Sequence, residues 1–294
     1  MQIVSACLAR DLPVYRVTFE SLKEHLPGSE VHVVTRKQDF DHFRKACGND
    51  LHLWDEAEMI PGMTLGDLRQ MPLPFFPKGA GWYFQQFLKY SFANVSNGDR
   101  HFLIWDADTV LLRPINFFTP DGRPIYTKAT EHHIPYFETF KALFGREANR
   151  EFSFISQHQI IDKQVLREML DEIENTTSGN KHWAWAIMDS LKGKGSNLFS
   201  EYETYGHYLK LKYPNSFETR TLTWTRHGEQ WANYPPDKSK LNAMNDQFDF
   251  AAFEAIFSLR NRIKRYLYRL IKPSMVTDYP GQHPAPPQSK SRTP

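Results

Sequence analysis

The sequence lacks the features that mark several classes of protein. Its 294 residues include two cysteines, Cys7 and Cys47, and they do not have the spacing of a metal site. A disulfide-stapled scaffold and a cysteine zinc cluster are therefore excluded, and we expect two reduced core residues. No apolar run approaches the ~20 residues that a membrane-spanning helix requires. The formal charge of +2 gives no basic surplus that would favour nucleic-acid binding.

What the chain does contain is enough apolar material for a large core. Hydrophobic residues make up 40% of it and aromatic residues 14%, which suits one large α/β domain or a domain with a decorated end. The amino terminus reads as a strand and lacks the basic lead-in of a signal peptide. We therefore expect the protein in the cytoplasm or on the inner face of the membrane.

The first part of the chain alternates strands and helices. Apolar patterns predict strands over residues 2–8, 30–35 and 51–54. Between them, helices are predicted from an N-cap at Asp11 to about residue 25, and over 40–46. This βαβα order predicts a parallel sheet with right-handed crossovers.

The rest of the chain is organised around residues 101–114, which read HFLIWDADTVLLRP. Residues 102–105 form an apolar run that suits a strand buried on both faces. Asp106 and Asp108 follow it directly, although burying unpaired charge is costly. That cost is tolerated at the carboxyl ends of strands in open α/β sheets, where ligands bind. Two carboxylates at such a place suit Mg²⁺ or Mn²⁺.

This stretch resembles the DxD motif of nucleotide-sugar-dependent glycosyltransferases of the GT-A type. The longer string WDADTVLLRP resembles bacterial members that build surface polysaccharides. The resemblance covers roughly residues 1–230 and implies a GT-A-like α/β domain, a Rossmann-type mixed sheet flanked by helices, which we predict for 1–245. It also implies Mn²⁺ or Mg²⁺ on Asp106 and Asp108, a nucleotide-sugar donor, and a glycan or lipid-linked glycan acceptor.

The helix predicted before the acid pair carries a polar face. Trp82, Gln85, Gln86 and Lys89 recur at spacings of three and four, so they share one side of the helix. In similar glycosyltransferases this helix gives polar side chains to the donor. The resemblance therefore implies that Gln86 meets sugar hydroxyls and that Lys89 neutralises the diphosphate or holds the acid pair. The alternative is a solvent-facing stripe on an ordinary amphipathic helix.

Two further site predictions rest on the same resemblance. The loop after the first strand, with Arg10 and Asp11, would lie beside the nucleotide, where Arg10 could pair with phosphate, although spacing alone favours a solvated surface arginine. His227, at the end of a late strand, would complete the metal shell as a third ligand with Asp106 and Asp108. A lone histidine is more often not a ligand.

The acceptor side is predicted from two later segments. Gln157 and His158 stand between an apolar run and a helix, where they could bind acceptor hydroxyls. Ser200 and Glu203 have the spacing of a capping box, and Glu201 lies in the first turn of the same helix. The string SEYE resembles the corresponding helix start in these transferases, where an acid faces the acceptor hydroxyl. Glu201 is therefore the preferred general base, with Glu203 as its rival.

The carboxyl-terminal part differs in composition. Residues 246–273 combine apolar side chains at helical spacing with clustered cations, which predicts an amphipathic basic helix. Such a helix suits an anionic membrane surface, or it packs onto the catalytic domain. Residues 274–294 are rich in proline, serine and lysine, and predict a disordered tail.

Two other functions remain open at this point. Asp106 and Asp108 also satisfy the signature of haloacid-dehalogenase-like phosphatases, with Asp106 as nucleophile and Asp108 as general acid. That signature normally ends the first strand and requires a later acidic motif, which the sequence does not contain. The third reading is a non-catalytic carbohydrate-binding module, which turnover of a nucleotide sugar would rule out.

Overall fold

The computed structural model of the chain describes residues 1–71, 78–96, 98–176, 181–193, 195 and 197–254. Strands and helices alternate through these residues. The strands are β1 (Gln2–Ala6), β2 (Glu30–Thr35), β3 (Leu51–Asp55), β4 (His101–Trp105), β5 (Thr109–Leu111), β6 (Ile125–Thr127), β7 (His158–Asp162), β8 (Glu218–Arg220), β9 (Trp224–Thr225) and β10 (Phe250–Ala252). The helices are α1 (Leu12–His25), α2 (Phe40–Cys47), α3 (Glu56–Met59), α4 (Leu65–Gln70), α5 (Lys78–Val95), α6 (Ile134–Phe144), α7 (Lys163–Thr176), α8 (Trp183–Ser190), α9 (Glu201–Lys212), α10 (Glu229–Ala232) and α11 (Lys238–Met244).

Five strands form the central sheet in the order β3-β2-β1-β4-β7. The first four run parallel to one another, and β7 pairs antiparallel with β4. The α/β class with a mixed sheet flanked by helices is therefore confirmed. Inner strands of such a sheet are covered on both faces, and Phe102 to Trp105 of β4 are fully buried as the continuous apolar run predicted.

The strand order reverses beside β1. From β1 the chain builds β2 and β3 on one side, and it then returns to place β4 on the other side of β1. Because β1 and β4 are parallel neighbours, their carboxyl ends lie next to each other at one edge of the sheet. In open α/β sheets this reversal point is where ligands bind.

Two smaller sheets extend the domain. The strand β10 pairs antiparallel with β5 and parallel with β9, and β6 pairs parallel with β8. Pairing of β10 with β5 corrects the predicted boundary after residue 245, because residues 250–252 form a strand of this domain and not the start of a helix. Backbone hydrogen bonds to β5 favour the extended conformation over the helical spacing of the side chains.

The remaining carboxyl-terminal predictions concern residues 255–294, which lie outside the described residues. They cover most of the amphipathic basic helix and all of the disordered tail. None of the helices in the described part of the chain combines the length and the apolar character needed to cross a bilayer.

Candidate active site

A polar cavity of about 530 Å³ opens at the carboxyl ends of β1 and β4. Ala6 at the end of β1 lines it, and so do Asp106 and Asp108, which follow β4. The described part of its wall carries nine charged side chains. The carboxylates are Asp11, Asp106, Asp108, Glu131, Glu201 and Glu254, and the cations are Arg10, Lys89 and Arg226.

The turn between β4 and β5 is held by backbone hydrogen bonds on several sides. Thr109 N donates to Asp106 O at 3.0 Å and closes the turn. Asp106 N donates to Gln157 O at 2.9 Å, and Phe253 N donates to Asp108 O at 2.7 Å. Because the backbone is fixed by three segments of the chain, the two carboxylates have defined positions at the cavity wall.

Lys89 connects two of the acids. Its Nζ donates to Asp106 Oδ1 at 2.5 Å and to Glu201 Oε1 at 2.7 Å, and the lysine and Glu201 are both buried. Burial by itself lowers the pKa of Lys89, but Asp106 and Glu201 more than offset it, so the pKa is raised and the lysine stays charged. Tyr202 adds a hydrogen bond to Asp106 Oδ1 at 2.8 Å. One buried cation therefore serves two carboxylates.

The acid pair carries more negative charge than its surroundings neutralise. Burial raises the pKa of Asp108 to about 7, and repulsion from Asp106 and Glu254 adds to this effect. Burial likewise raises the pKa of Glu201, with Lys89 opposing it and Asp106 reinforcing it. These shifts have the pattern expected where buried acids outnumber cations.

The polar face predicted on α5 lies at the cavity, but its members differ in what they contact. Trp82 and Gln85 line the cavity, and the Trp82 ring stacks on Tyr136 with centroids 6.2 Å apart. The amide of Gln86 is engaged within the protein. Its Oε1 accepts from Glu201 N at 2.9 Å, and its Nε2 donates to Trp82 O at 3.1 Å. Gln86 thus fixes the start of α9. The resemblance implied a different role for it, contact with sugar hydroxyls.

The two residues predicted beside the nucleotide lie at the mouth of the cavity. Arg10 and Asp11 follow β1 and line the wall, and Arg10 Nε lies 3.3 Å from Asp11 Oδ2. Asp11 occupies the N-cap position of α1 without a side-chain capping hydrogen bond. The N-cap position agrees with the prediction from the sequence, but the Asp11 carboxylate does not cap the helix.

Glu203 does not face the cavity. Its Oε1 accepts from Ser153 Oγ at 2.5 Å, its Oε2 accepts from Phe154 N at 3.2 Å, and it lies 2.9 Å from His207 Nε2. Ser200 Oγ accepts from Glu203 N, which is the first half of the predicted capping box. The Glu203 carboxylate points into the core instead of returning to Ser200, so both its capping role and its candidacy as base are corrected.

The predicted role of His158 in binding acceptor hydroxyls is wrong. His158 belongs to β7 rather than to a polar turn, and it is buried with its ring stacked on Trp105 at 5.1 Å between centroids. Its Nε2 lies 3.1 Å from Thr127 Oγ1. Burial lowers the pKa of His158 to about 3, and Arg220 contributes to the shift, so the ring is neutral. It is a core residue and does not line the cavity.

His227 pairs through its backbone with Phe253, whose N donates to Asp108 O. Its side chain is 43% exposed, its Nδ1 lies 3.9 Å from Glu229 Oε1, and it is not part of the cavity wall. Within the residues that the structure describes, no group of three or more histidine, cysteine or acidic side chains is arranged to hold a metal ion. The acid pair is in place at the cavity wall, and the role of His227 as a third ligand stays a prediction.

Several lining residues were missed by the sequence reasoning. Arg226 lines the cavity one residue before His227, and Glu131 lines it one residue before a pair of histidines. Adjacent residues of an extended segment point to opposite sides, so a prediction displaced by one residue leaves the site. For Arg226 the available signal was its position directly after the strand β9. Tyr136 and Asn197 lie in segments without such a signal.

Comparison with protein families places the chain. The model of DUF6492, described as a family of unknown function, matches residues 3–247. The chain belongs to the DUF6492 family. The match includes β1, β4, the acid pair and α9, so the whole cavity apart from its last lining residues lies within the family region. No curated protein sequence matches this DUF6492 chain.

Solved structures that resemble this chain include glycosyltransferases. A galactosyltransferase LgtC in complex with donor and acceptor sugar analogs has a TM-score of 0.48 at 12% identity, covering 87% of this chain and 88% of that one. Mouse xyloside xylosyltransferase 1 has a TM-score of 0.46 at 11% identity, with 88% and 100% covered. The glycosyltransferase GlyE of Streptococcus pneumoniae has 0.44 at 10% identity, with 92% and 60% covered. At these values the likeness does not assign a function to the DUF6492 chain.

Proposed function

We propose that the protein is a metal-dependent glycosyltransferase that moves a sugar from a nucleotide-sugar donor to a glycan or lipid-linked glycan acceptor. The observation that carries the proposal is the position of Asp106 and Asp108. Both line a polar cavity at the carboxyl end of β4, next to the end of β1, where the strand order reverses. Phosphate-bearing ligands of open α/β sheets bind at such a point.

The charge of the cavity supports dependence on a divalent cation. Each cation of the described wall already has an acidic neighbour: Arg10 has Asp11, Lys89 has Asp106 and Glu201, and Arg226 has Glu131. A diphosphate would add negative charge to a site where acids are already in excess. Nucleotide binding therefore requires a cation that enters with the ligand.

The residues present fit Mg²⁺ or Mn²⁺. Such an ion is commonly held by one or two carboxylates, with phosphate and water oxygens as the remaining ligands, so two protein carboxylates are sufficient. Asp106 and Asp108 would hold it. When bound, the ion would neutralise charge that develops on the leaving nucleoside diphosphate.

The chain's own residues then have distinct tasks. Arg10, on the loop after β1 and beside Asp11, lines the cavity and would face the phosphates together with the cation. Lys89 holds Asp106 and Glu201 in fixed positions through its two hydrogen bonds. Glu201 is the proposed base: its carboxylate lines the cavity, and burial raises its pKa toward the range where it can take a proton from an acceptor hydroxyl.

The test is turnover of nucleotide sugars. Purified protein is incubated with a panel of uridine, guanosine, cytidine, adenosine and thymidine nucleotide sugars, with Mn²⁺ or with EDTA, and release of the nucleoside phosphate is measured. We expect the nucleoside phosphate to be released from at least one donor with Mn²⁺ and from none with EDTA. Phosphate release from p-nitrophenyl phosphate in place of donor turnover would support the phosphatase reading. If the protein binds a donor but transfers its sugar neither to water nor to added glycans, a carbohydrate-binding module is favoured.

A further inference from the structure

Gln157 has a backbone conformation that residues with a side chain rarely adopt. Its φ is 63°, and among the non-glycine residues that the structure describes only Asn233 shares this feature. Asn233 has a ψ of −173°, outside the left-handed helical region, and glutamine has no preference for a positive φ. Glycine would take the same conformation without steric cost. A long side chain at this position indicates contacts that offset the strain.

Those contacts join Gln157 to the acid pair at two points. Its backbone oxygen accepts from Asp106 N at 2.9 Å. In the amide orientation that matches donors to acceptors, its side-chain nitrogen donates to Asp106 Oδ2 at 3.2 Å. Lys89 and Tyr202 hold the other oxygen, Oδ1. Gln157 therefore completes the set of contacts that fixes the plane of the Asp106 carboxylate.

The other end of the same amide holds Arg226. The Gln157 oxygen accepts from Arg226 Nε at 3.3 Å and from Nη2 at 3.1 Å. Arg226 is itself held by Glu131, whose Oε2 lies 2.5 Å from Nη2, and by the Trp224 ring, whose centroid is 5.8 Å from the guanidinium carbon. The side chains of Arg226, Gln157 and Asp106 thus form one continuous hydrogen-bonded row along the cavity wall.

We propose that Gln157 is a positioning residue that sets the orientation of the Asp106 carboxylate and couples it to Arg226. The inference rests on the proposed function, because it assigns Asp106 to the binding of a cation and a diphosphate. Groups that hydrogen-bond to a metal-binding carboxylate fix its orientation and commonly change metal affinity by 10- to 100-fold when they are removed. Gln157 has this position with respect to Asp106.

The matched variants are Gln157→Gly and Asn233→Gly. Both remove a side chain at a positive φ, but the exposed Asn233 does not line the cavity. The measurements are the melting temperature and the Mn²⁺-dependent affinity for UDP, GDP, CDP, ADP and dTDP by calorimetry. We expect Gln157→Gly to weaken the affinity by at least roughly tenfold while its melting temperature is unchanged or higher. Asn233→Gly should leave the affinity unchanged.

Three results would contradict the proposal or its basis. Full affinity in Gln157→Gly would overturn the positioning role. Parallel losses of affinity and melting temperature would assign Gln157 a merely structural role. A wild-type protein that binds none of these nucleotides with Mn²⁺ would overturn the proposed function, and the positioning role with it.

A double-mutant cycle tests the coupling. If Arg226 acts on Asp106 through Gln157, Arg226→Lys weakens the Mn²⁺-dependent affinity in the wild-type background and adds little in the Gln157→Gly background. Equal effects of Arg226→Lys in both backgrounds would show that the two residues act independently and would overturn the coupling.

Discussion

Glu201 and Glu203 begin the same helix, yet the two acids occupy opposite environments. Successive residues of an α-helix are about 100° apart, so a separation of two residues turns their side chains to nearly opposite sides. Glu201 faces the cavity and shares Lys89 with Asp106. Glu203 faces the core, where Ser153, Phe154 and His207 surround its two oxygens.

The difference shows how to separate a structural buried charge from a functional one. The Glu203 carboxylate has a partner for each oxygen within the protein, so nothing further is required to keep it buried. The Glu201 group has two acids for one lysine, and Asp108 nearby adds a third acid. A cluster in which acids outnumber cations at a cavity wall is prepared for a ligand, whereas a core carboxylate whose oxygens both have hydrogen-bond donors is part of the fold.

The largest effect that this comparison predicts is on turnover. Glu201→Gln should lower the rate of nucleoside diphosphate release by at least about a hundredfold, because the proposed base is lost. Binding of the nucleoside diphosphate with Mn²⁺ should persist, since one negative charge fewer at the wall does not oppose a diphosphate. Steady-state rates and calorimetry measure the two quantities separately. Full activity in Glu201→Gln would show that Glu201 is not the base.

The same substitution at the neighbouring acid should act on stability instead. Glu203→Gln places an amide NH₂ group against donors from Ser153, Phe154 or His207, and it should lower the free energy of unfolding by roughly 2 kcal/mol. Glu201→Gln is the matched control and should change it by less than about 1 kcal/mol, because Lys89 keeps its contact with Asp106. Urea denaturation of both variants gives the numbers. Equal losses would erase the distinction between the two acids.

A smaller effect concerns the neutral core histidine. The pKa of His158 is about 3 in the folded protein, below its ordinary value of 6.5. The unfolded chain therefore takes up a proton that the folded one does not. Stability due to this residue is complete above pH 6.5 and is lost as the pH falls from 6.5 toward 3, with a limiting slope of about 1.4 kcal/mol per pH unit.

His158→Phe should remove this slope while keeping a ring against Trp105. Unfolding free energies are compared at several pH values between 7 and 4, and His42→Gln, at an exposed position, is the control. An unchanged pH dependence in His158→Phe would mean that the buried ring is protonated in the folded protein.

The comparison also explains what could be read from the sequence. Apolar patterns mark β1 to β4, and the acid pair stands directly after the continuous apolar run of β4, so the edge of the sheet that carries the site was predictable. Spacing alone placed Lys89 on the same helix face as Trp82 and Gln85, and its position beside the acid pair was implied by the resemblance to GT-A glycosyltransferases. The strands and the shared helix face depend on short-range periodicity.

The remaining site residues depend on long-range packing. Whether Glu201 or Glu203 faces the cavity is decided by the rotation of α9 about its axis, and that rotation is set by contacts with Gln86 and Ser153 from distant segments. The register of β7 against β4 likewise decides that Gln157 lines the cavity and that His158 is buried in the core. A pattern of polar residues cannot specify such a rotation or register to within one residue.

The central claim is that the acid pair makes the cavity a cation-dependent nucleotide site, and binding of nucleoside diphosphates to Asp108→Asn tests it most directly. The wild type should bind at least one of UDP, GDP, CDP, ADP and dTDP in Mn²⁺, and at least about tenfold more weakly in EDTA, a difference of about 1.4 kcal/mol. Asp108→Asn should bind weakly in both conditions with an undiminished melting temperature, because it removes a carboxylate whose raised pKa reflects an unfavourable charge. Equal binding in Mn²⁺ and EDTA, or wild-type affinity in Asp108→Asn, would contradict the account.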